Sequence, residues 1–329
     1  MKPLIVALAA LLLAAHPLLA ADASTKTETA AEKAAKAAAN LKKFMADVPP
    51  TEADVPYGKH PKQVMHFWKA ASDKPTPLLF FIHGGGWGAG DRSSVGSPTV
   101  KRALADGISV VSVEYRFIKE ATADGVVPPV KGPMLDCARG LQFVRSKSKE
   151  WNIDKTRIGA SGGSAGACTS LWLAFHDDLA DPQSSDPIAR ESTRLTCAAV
   201  SGPQTSLDPQ QMREWTPNSR YGAHAFGITG NFDAFVEARA KILPWIKEYS
   251  PYELVTADDP PVGLYFGSAP NLGKEEKDPT HSANFGVKLK EQCDKFKVAC
   301  ELVYPGAPDV KNKDTYSFLL SHLKAGAGK

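Results

Sequence analysis

Net charge is the first thing this chain does without. Its 39 Lys and Arg nearly balance 36 Asp and Glu, leaving +3 over 329 residues, and no basic cluster is interleaved with aromatic residues. Nucleic acid is therefore excluded as a partner. Cysteine is scarce: five, at 137, 168, 197, 293 and 300, none spaced like zinc ligands, so no metal is expected. An odd number cannot all pair within one chain. Cys293 with Cys300 and Cys168 with Cys197 are conceivable disulfides, and simple buried thiols serve equally well. No apolar run is long enough for a confident membrane span, since residues 4–15 are cut off by His16-Pro17. Neither a G-x-G-x-x-G fingerprint nor a P-loop Lys-Ser/Thr is present, so no nucleotide or other cofactor is expected.

What is there begins with a processing signal. Lys2, the apolar stretch and Ala21-Asp22-Ala23 read as a signal peptide over residues 1–23, with export to a periplasmic or extracellular space. Residues 24–50 are rich in Ala and Lys and read as a linker or loose helix, with Leu41, Phe44 and Met45 as its main apolar surface. From 51 to 329, apolar strand-like runs at 78–82, 108–115, 157–160, 198–201, 262–267 and 298–304 alternate with helical patterns. That alternation predicts an α/β fold, a doubly wound and mostly parallel sheet with right-handed crossovers. The interval at about 203–258 is too long for a simple crossover. It carries Trp215, Tyr221, Phe226, Phe232, Phe235, Trp245, Tyr249 and Tyr252, which read as a satellite core, as a cap over the strand ends, or as both.

Two motifs carry chemistry. Gly162-Gly163-Ser164-Ala165-Gly166 fits G-x-S-x-G between a strand and a helix, the context of a nucleophile elbow. Upstream, His83-Gly84-Gly85-Gly86-Trp87 follows a buried strand, and its glycines leave backbone N–H groups open to an oxyanion.

Together these motifs resemble the α/β-hydrolase superfamily, and more closely the secreted bacterial carboxylesterases of the hormone-sensitive-lipase type. Val113-Glu114-Tyr115-Arg116 falls where such enzymes carry an Asp-Tyr-Arg run, with Glu here instead of Asp. The resemblance implies Ser164 as nucleophile, an oxyanion hole from the N–H groups of Gly85, Gly86 and Ala165, and His83 bracing that loop. It implies an acid after the 262–267 strand, where Asp278 of Asp278-Pro279-Thr280-His281 stands; an Asp capping the following helix is the plainer reading of that residue. Trp87 and His224 are expected at the substrate. The implied substrate is a small-molecule ester, with acylated carbohydrate as one class.

The family's histidine belongs in the loop after the last strand, in a Pro-Gly-x-x-His pattern. Here that loop reads Tyr304-Pro305-Gly306-Ala307-Pro308-Asp309, and it holds no histidine. His281 is the first candidate for a relocated base and His224 the second; His60, His66, His176 and His322 have no chemistry near them in sequence. Three readings follow: a serine carboxylesterase with His281 as base, a catalytically impaired hydrolase that binds a ligand, and a redox role for Cys168.

Overall fold

The computed structural model describes residues 30–325; the expected leader at 1–23 lies outside them. In chain order the helices are α1 (Ala30–Asp47), α2 (Ser97–Ala105), α3 (Ile118–Ala123), α4 (Lys131–Ser146), α5 (Ser148–Trp151), α6 (Ala165–Phe175), α7 (Pro209–Trp215), α8 (Phe232–Tyr249), α9 (Pro251–Leu254), α10 (Asn284–Phe296) and α11 (Thr315–Ala325). The strands are β1 (Glu52–Pro56), β2 (Val64–Trp68), β3 (Thr76–Ile82), β4 (Ser109–Val113), β5 (Ile153–Gly163), β6 (Cys197–Ser201), β7 (Val262–Tyr265) and β8 (Cys300–Val303). They form one eight-stranded sheet in the order β1-β2-β4-β3-β5-β6-β7-β8. β1 and β2 pair antiparallel, β2 joins β4 antiparallel, and β3 through β8 run parallel. Among the described residues no helix is long and apolar enough to cross a membrane.

The central strands are buried on both faces, which is why they read as continuous apolar runs. β3 and β4 carry Leu78, Phe80, Ile82, Val111 and Val113 into one layer, and Leu79 and Val110 into the other. β5 starts four residues earlier than its apolar run suggests, because Arg157 and Thr156 are tied by Asp154 at the exposed lower end. α1 packs Phe44 on the second layer, joined by Val48 just past its end, and Trp68 donates its indole N–H to Val48 O at 2.9 Å.

Between β6 and β7 the long insertion folds as α7, α8 and α9 with a short 3-10 turn at Ala223–Phe226. Its Trp215, Phe226, Phe235, Ile246 and Tyr249 belong to the main core rather than to a separate one. The tie is partly polar, since Trp172 on α6 donates to Glu248 O at 2.9 Å. All five cysteines are free thiols, four buried and Cys300 half-buried. Neither Cys293 and Cys300 nor Cys168 and Cys197 are joined.

Candidate active site

Ser164 sits between the end of β5 and the start of α6 with φ 53° and ψ −121°, a backbone state that costs a non-glycine residue about 1–3 kcal/mol. The turn is held by Ser164 N–H donating to Ser201 O at 3.0 Å and Cys168 N–H donating to Ser164 O at 2.9 Å. The flanking glycines are required by packing. A Cβ on Gly162 would lie 2.3 Å from Ile82 O, and one on Gly166 would lie 2.1 Å from Ile82 O and 2.6 Å from His83 O. The elbow is thus pressed directly onto the end of β3, where the glycine loop begins.

That loop needs its own glycines. Gly85 and Gly86 have φ of 102° and 63°, and a Cβ on Gly84 would meet Gly163 O at 2.6 Å. Among the described residues, the N–H groups of Gly85, Gly86 and Ala165 donate to no protein acceptor. They are free for a developing oxyanion. Behind the loop, buried His83 stacks on Tyr115 at 4.3 Å and lies within hydrogen-bonding distance of Gly84 O (2.8 Å) and Glu114 Oε1 (3.2 Å). Tyr115 donates its hydroxyl to His83 O at 2.7 Å. Glu114 is thus part of the support behind the loop. Arg116 forks onto buried Asp136, from Nε at 2.9 Å and Nη2 at 2.7 Å, and its backbone N–H adds a third bond at 3.0 Å. Nothing in the sequence marked Asp136 as the partner of Arg116.

The structure brings Ser164, His281 and Asp278 together. His281 Nε2 lies 3.0 Å from Ser164 Oγ, and its Nδ1 lies 2.8 Å from Asp278 Oδ2. The local reason is a tight turn. Pro279 presets the backbone at the second position, and residues one and four of such a turn lie side by side. His281 N–H closes it onto Asp278 O at 3.3 Å. Acid and base therefore come from one segment after β7. The Asp278 carboxyl is held below the usual carboxylate range: partial burial raises it, but the hydrogen bond and charge of His281 and the backbone N–H groups of His281 and Thr280 outweigh that. Asp278 does not cap α10, whose N-cap is Ala283. With Asp278 ionised, Nδ1–H donates to it, which leaves the Nε2 lone pair for the Ser164 hydroxyl proton.

The other expected site residues are placed differently. Trp87 is wholly buried and donates its indole N–H to Thr169 Oγ1 at 3.0 Å, so its polar group is satisfied within the protein. His224 makes no hydrogen bond to Ser164. Its Nε2 lies 3.1 Å from Gly86 O, a carbonyl that can only accept, so the ring N–H donates there and ties the loop to the insertion, while burial pushes the imidazole pKa down. Asp309, at the position where the resemblance led to the expectation of a histidine, lies in a loop folded back on β8: Glu301 accepts from Lys311 N–H at 2.8 Å and Asn312 N–H at 2.7 Å. Burial pushes the Cys168 thiol well up, which leaves it no thiolate character for a redox role. Clefts of about 600 and 570 Å³ flank β8, and none of Ser164, Asp278 and His281 lines either. Among the described residues no group of three or more His, Cys, Asp or Glu side chains is arranged to hold a metal.

Comparison with known proteins decides the family. Residues 66–278 match the BD-FAE family, a stretch covering more than half of the chain. The chain belongs to that family. The match reaches Asp278 and stops three residues short of His281. Over 131 residues the chain is 31% identical to esterase LipC of Mycobacterium tuberculosis, covering 39% of this chain and 30% of LipC. Over 154 residues it is 32% identical to gut esterase 1 of Caenorhabditis elegans, covering 44% of this chain and 26% of that one. The matched stretch spans less than a third of either relative. Among solved structures, the acetyl ester-xyloside bifunctional hydrolase from Caldicellulosiruptor lactoaceticus superposes with a TM-score of 0.58 at 22% identity, covering 78% of this chain and 86% of that one. This BD-FAE member has the α/β-hydrolase fold.

Proposed function

We propose that this BD-FAE protein is a serine carboxylesterase. The observation that carries the reading is the continuous hydrogen-bonded line from Ser164 Oγ through His281 to Asp278. His281 Nε2 takes the Ser164 proton as Oγ attacks the ester carbonyl. The resulting oxyanion is met by the N–H groups of Gly85, Gly86 and Ala165, each such donor stabilising the transition state by roughly 3 kcal/mol. The imidazolium returns the proton to the departing alcohol, leaving an acyl-Ser164 ester. Water, deprotonated by the same nitrogen, then releases the acid and regenerates the serine.

The competing reading, an impaired hydrolase kept for ligand binding, was motivated by the histidine-free loop after β8. A histidine within reach of Ser164 from the other loop removes that motivation. The substrate class proposed is a small ester, acylated carbohydrate included; the Caldicellulosiruptor hydrolase, an acetyl ester-xyloside enzyme by name, supports the second through its shared fold.

Reaction with a fluorophosphonate tests the nucleophile. Intact mass should rise by one adduct, peptide mapping should place it on Ser164, and Ser164→Ala should stay unlabelled and fail to hydrolyse p-nitrophenyl acetate. Labelling elsewhere, or full turnover by Ser164→Ala, would refute the proposal. Acetate release from acetylated xylo-oligosaccharides tests the carbohydrate ester separately.

A further inference from the structure

A base delivered from an extended loop needs something to hold that loop still, because an error of about 1 Å at the reacting atoms can cost 10²-fold in rate. Residues 266–283 connect β7 to α10 without regular structure. In sequence their length is unremarked by any motif. In the structure they are fastened at successive points, and most of the partners come from the insertion between β6 and β7.

Fully buried Asn284 accepts from Asn271 N–H at 2.7 Å and donates to Trp215 O at 2.8 Å, to Thr216 Oγ1 at 3.0 Å and to Asn271 O at 3.3 Å. Gly273 N–H donates to Trp215 O at 3.0 Å. Asn218 then brackets the Glu276 peptide unit as a neighbouring strand would: its Nδ2 donates to Glu276 O at 2.9 Å and its Oδ1 accepts from Glu276 N–H at 3.1 Å. Buried Gln204 donates to Thr280 O at 2.7 Å and to Gly202 O at 3.2 Å. Gly202, with φ 55°, lies close against the His281 ring, where a Cβ would stand 3.3 Å from it. The fastenings at 276 and 280 fall on either side of Asp278.

We infer that the insertion between β6 and β7 positions the catalytic base, with Asn218 and Gln204 as positioning residues that act through the Asp278–His281 turn. This rests on the esterase reading and extends it. In this chain the insertion holds the acid–base segment in register, whatever it does for substrate. Asn218 is the better probe, because it is only half-buried and its side chain serves the loop alone.

The test is a double-mutant cycle on p-nitrophenyl acetate turnover with Asn218→Ala, His281→Ala and both together, each with its melting curve. Losing the bracket should lower kcat about tenfold or more with KM little changed. In the His281→Ala background the same substitution should change the residual rate hardly at all, because there is no longer a base to misplace. An equal factor in both backgrounds, or an unchanged kcat in Asn218→Ala, overturns the inference. If Asn218→Ala melts below the assay temperature, the isosteric Asn218→Asp, which keeps only the acceptor for Glu276 N–H, is read by the same criteria. Failure of the esterase reading looks different: His281→Ala and Ser164→Ala would themselves retain activity.

Discussion

Gly166 is where the elbow and the glycine loop touch, so Gly166→Ala disturbs the proposed catalytic geometry while removing no functional group. The added Cβ would stand 2.1 Å from Ile82 O and 2.6 Å from His83 O, main-chain atoms that no rotamer change can clear. Since ordinary contact begins at 3.4 Å, the first turn of α6 and the end of β3 must separate. The separation needed is about 1 Å, and a close-packed interior transmits it instead of absorbing it. It displaces Ala165 N–H relative to those of Gly85 and Gly86, so an oxyanion would lose one good donor. That corresponds to about 3 kcal/mol, or roughly a 10²-fold fall in kcat. Overpacking should also cost about 1–3 kcal/mol of stability. Steady-state turnover of p-nitrophenyl acetate and urea denaturation measure the two effects on the same preparation. Gly163→Ala is the control, because its Cβ would lie 3.9 Å from the nearest atom, Ser201 O, and should leave kcat close to wild type. A wild-type kcat in Gly166→Ala, or equal damage from Gly163→Ala, would refute the reasoning.

Other expectations follow from the buried polar groups. Asp136→Asn should destabilise by about 1–3 kcal/mol in denaturant melts, because it removes the buried carboxylate from Arg116 and leaves only the more exposed Asp124 to pair with it; Asp136 Oδ1 also accepts from Gln63 Nε2 at 2.7 Å. His66 is buried in β2, accepts from Asp54 N–H at 3.1 Å, and has its pKa lowered to about 4 by burial and by the charge of Arg92. Its folded pKa lies below its unfolded value, so stability is full above the unfolded pKa and is lost as pH falls from there toward about 4. Melting curves across that range should show His66→Asn, which keeps a short acceptor and cannot titrate, losing less than wild type, by up to about 3 kcal/mol. His224→Phe should lower kcat by loosening the Gly86 carbonyl, while the Ser164–His281 contact is kept; an unchanged kcat would remove His224 from the loop's support.

How much of this was legible beforehand varies with the physics of each element. The sheet was legible because the central stretches of β3 to β7 are buried on both faces and largely apolar, whereas the exposed start of β5 with Lys155 and Thr156 gave no such signal, and the order of the two glycine motifs then identified the loops above it. Ser164 and the glycine loop were legible because steric exclusion writes itself into residue type: only glycine fits at 162 and 166. His281 was legible only as a neighbour of Asp278, since a four-residue turn with proline second brings its ends together wherever it occurs. The bonds that flank this turn come from Asn218 and Gln204, isolated polar residues with no period or motif. The partner of Trp87 is hidden in the same way, because Thr169, which accepts its indole N–H, is a residue far along the chain.

The most direct test of the whole account is the turnover of His281→Ala beside Asp309→Ala, both shown to be folded by their melting curves. His281→Ala should lose roughly 10³-fold or more in kcat on p-nitrophenyl acetate, while Asp309→Ala should match wild type. Activity retained in His281→Ala, or lost in Asp309→Ala, would contradict it.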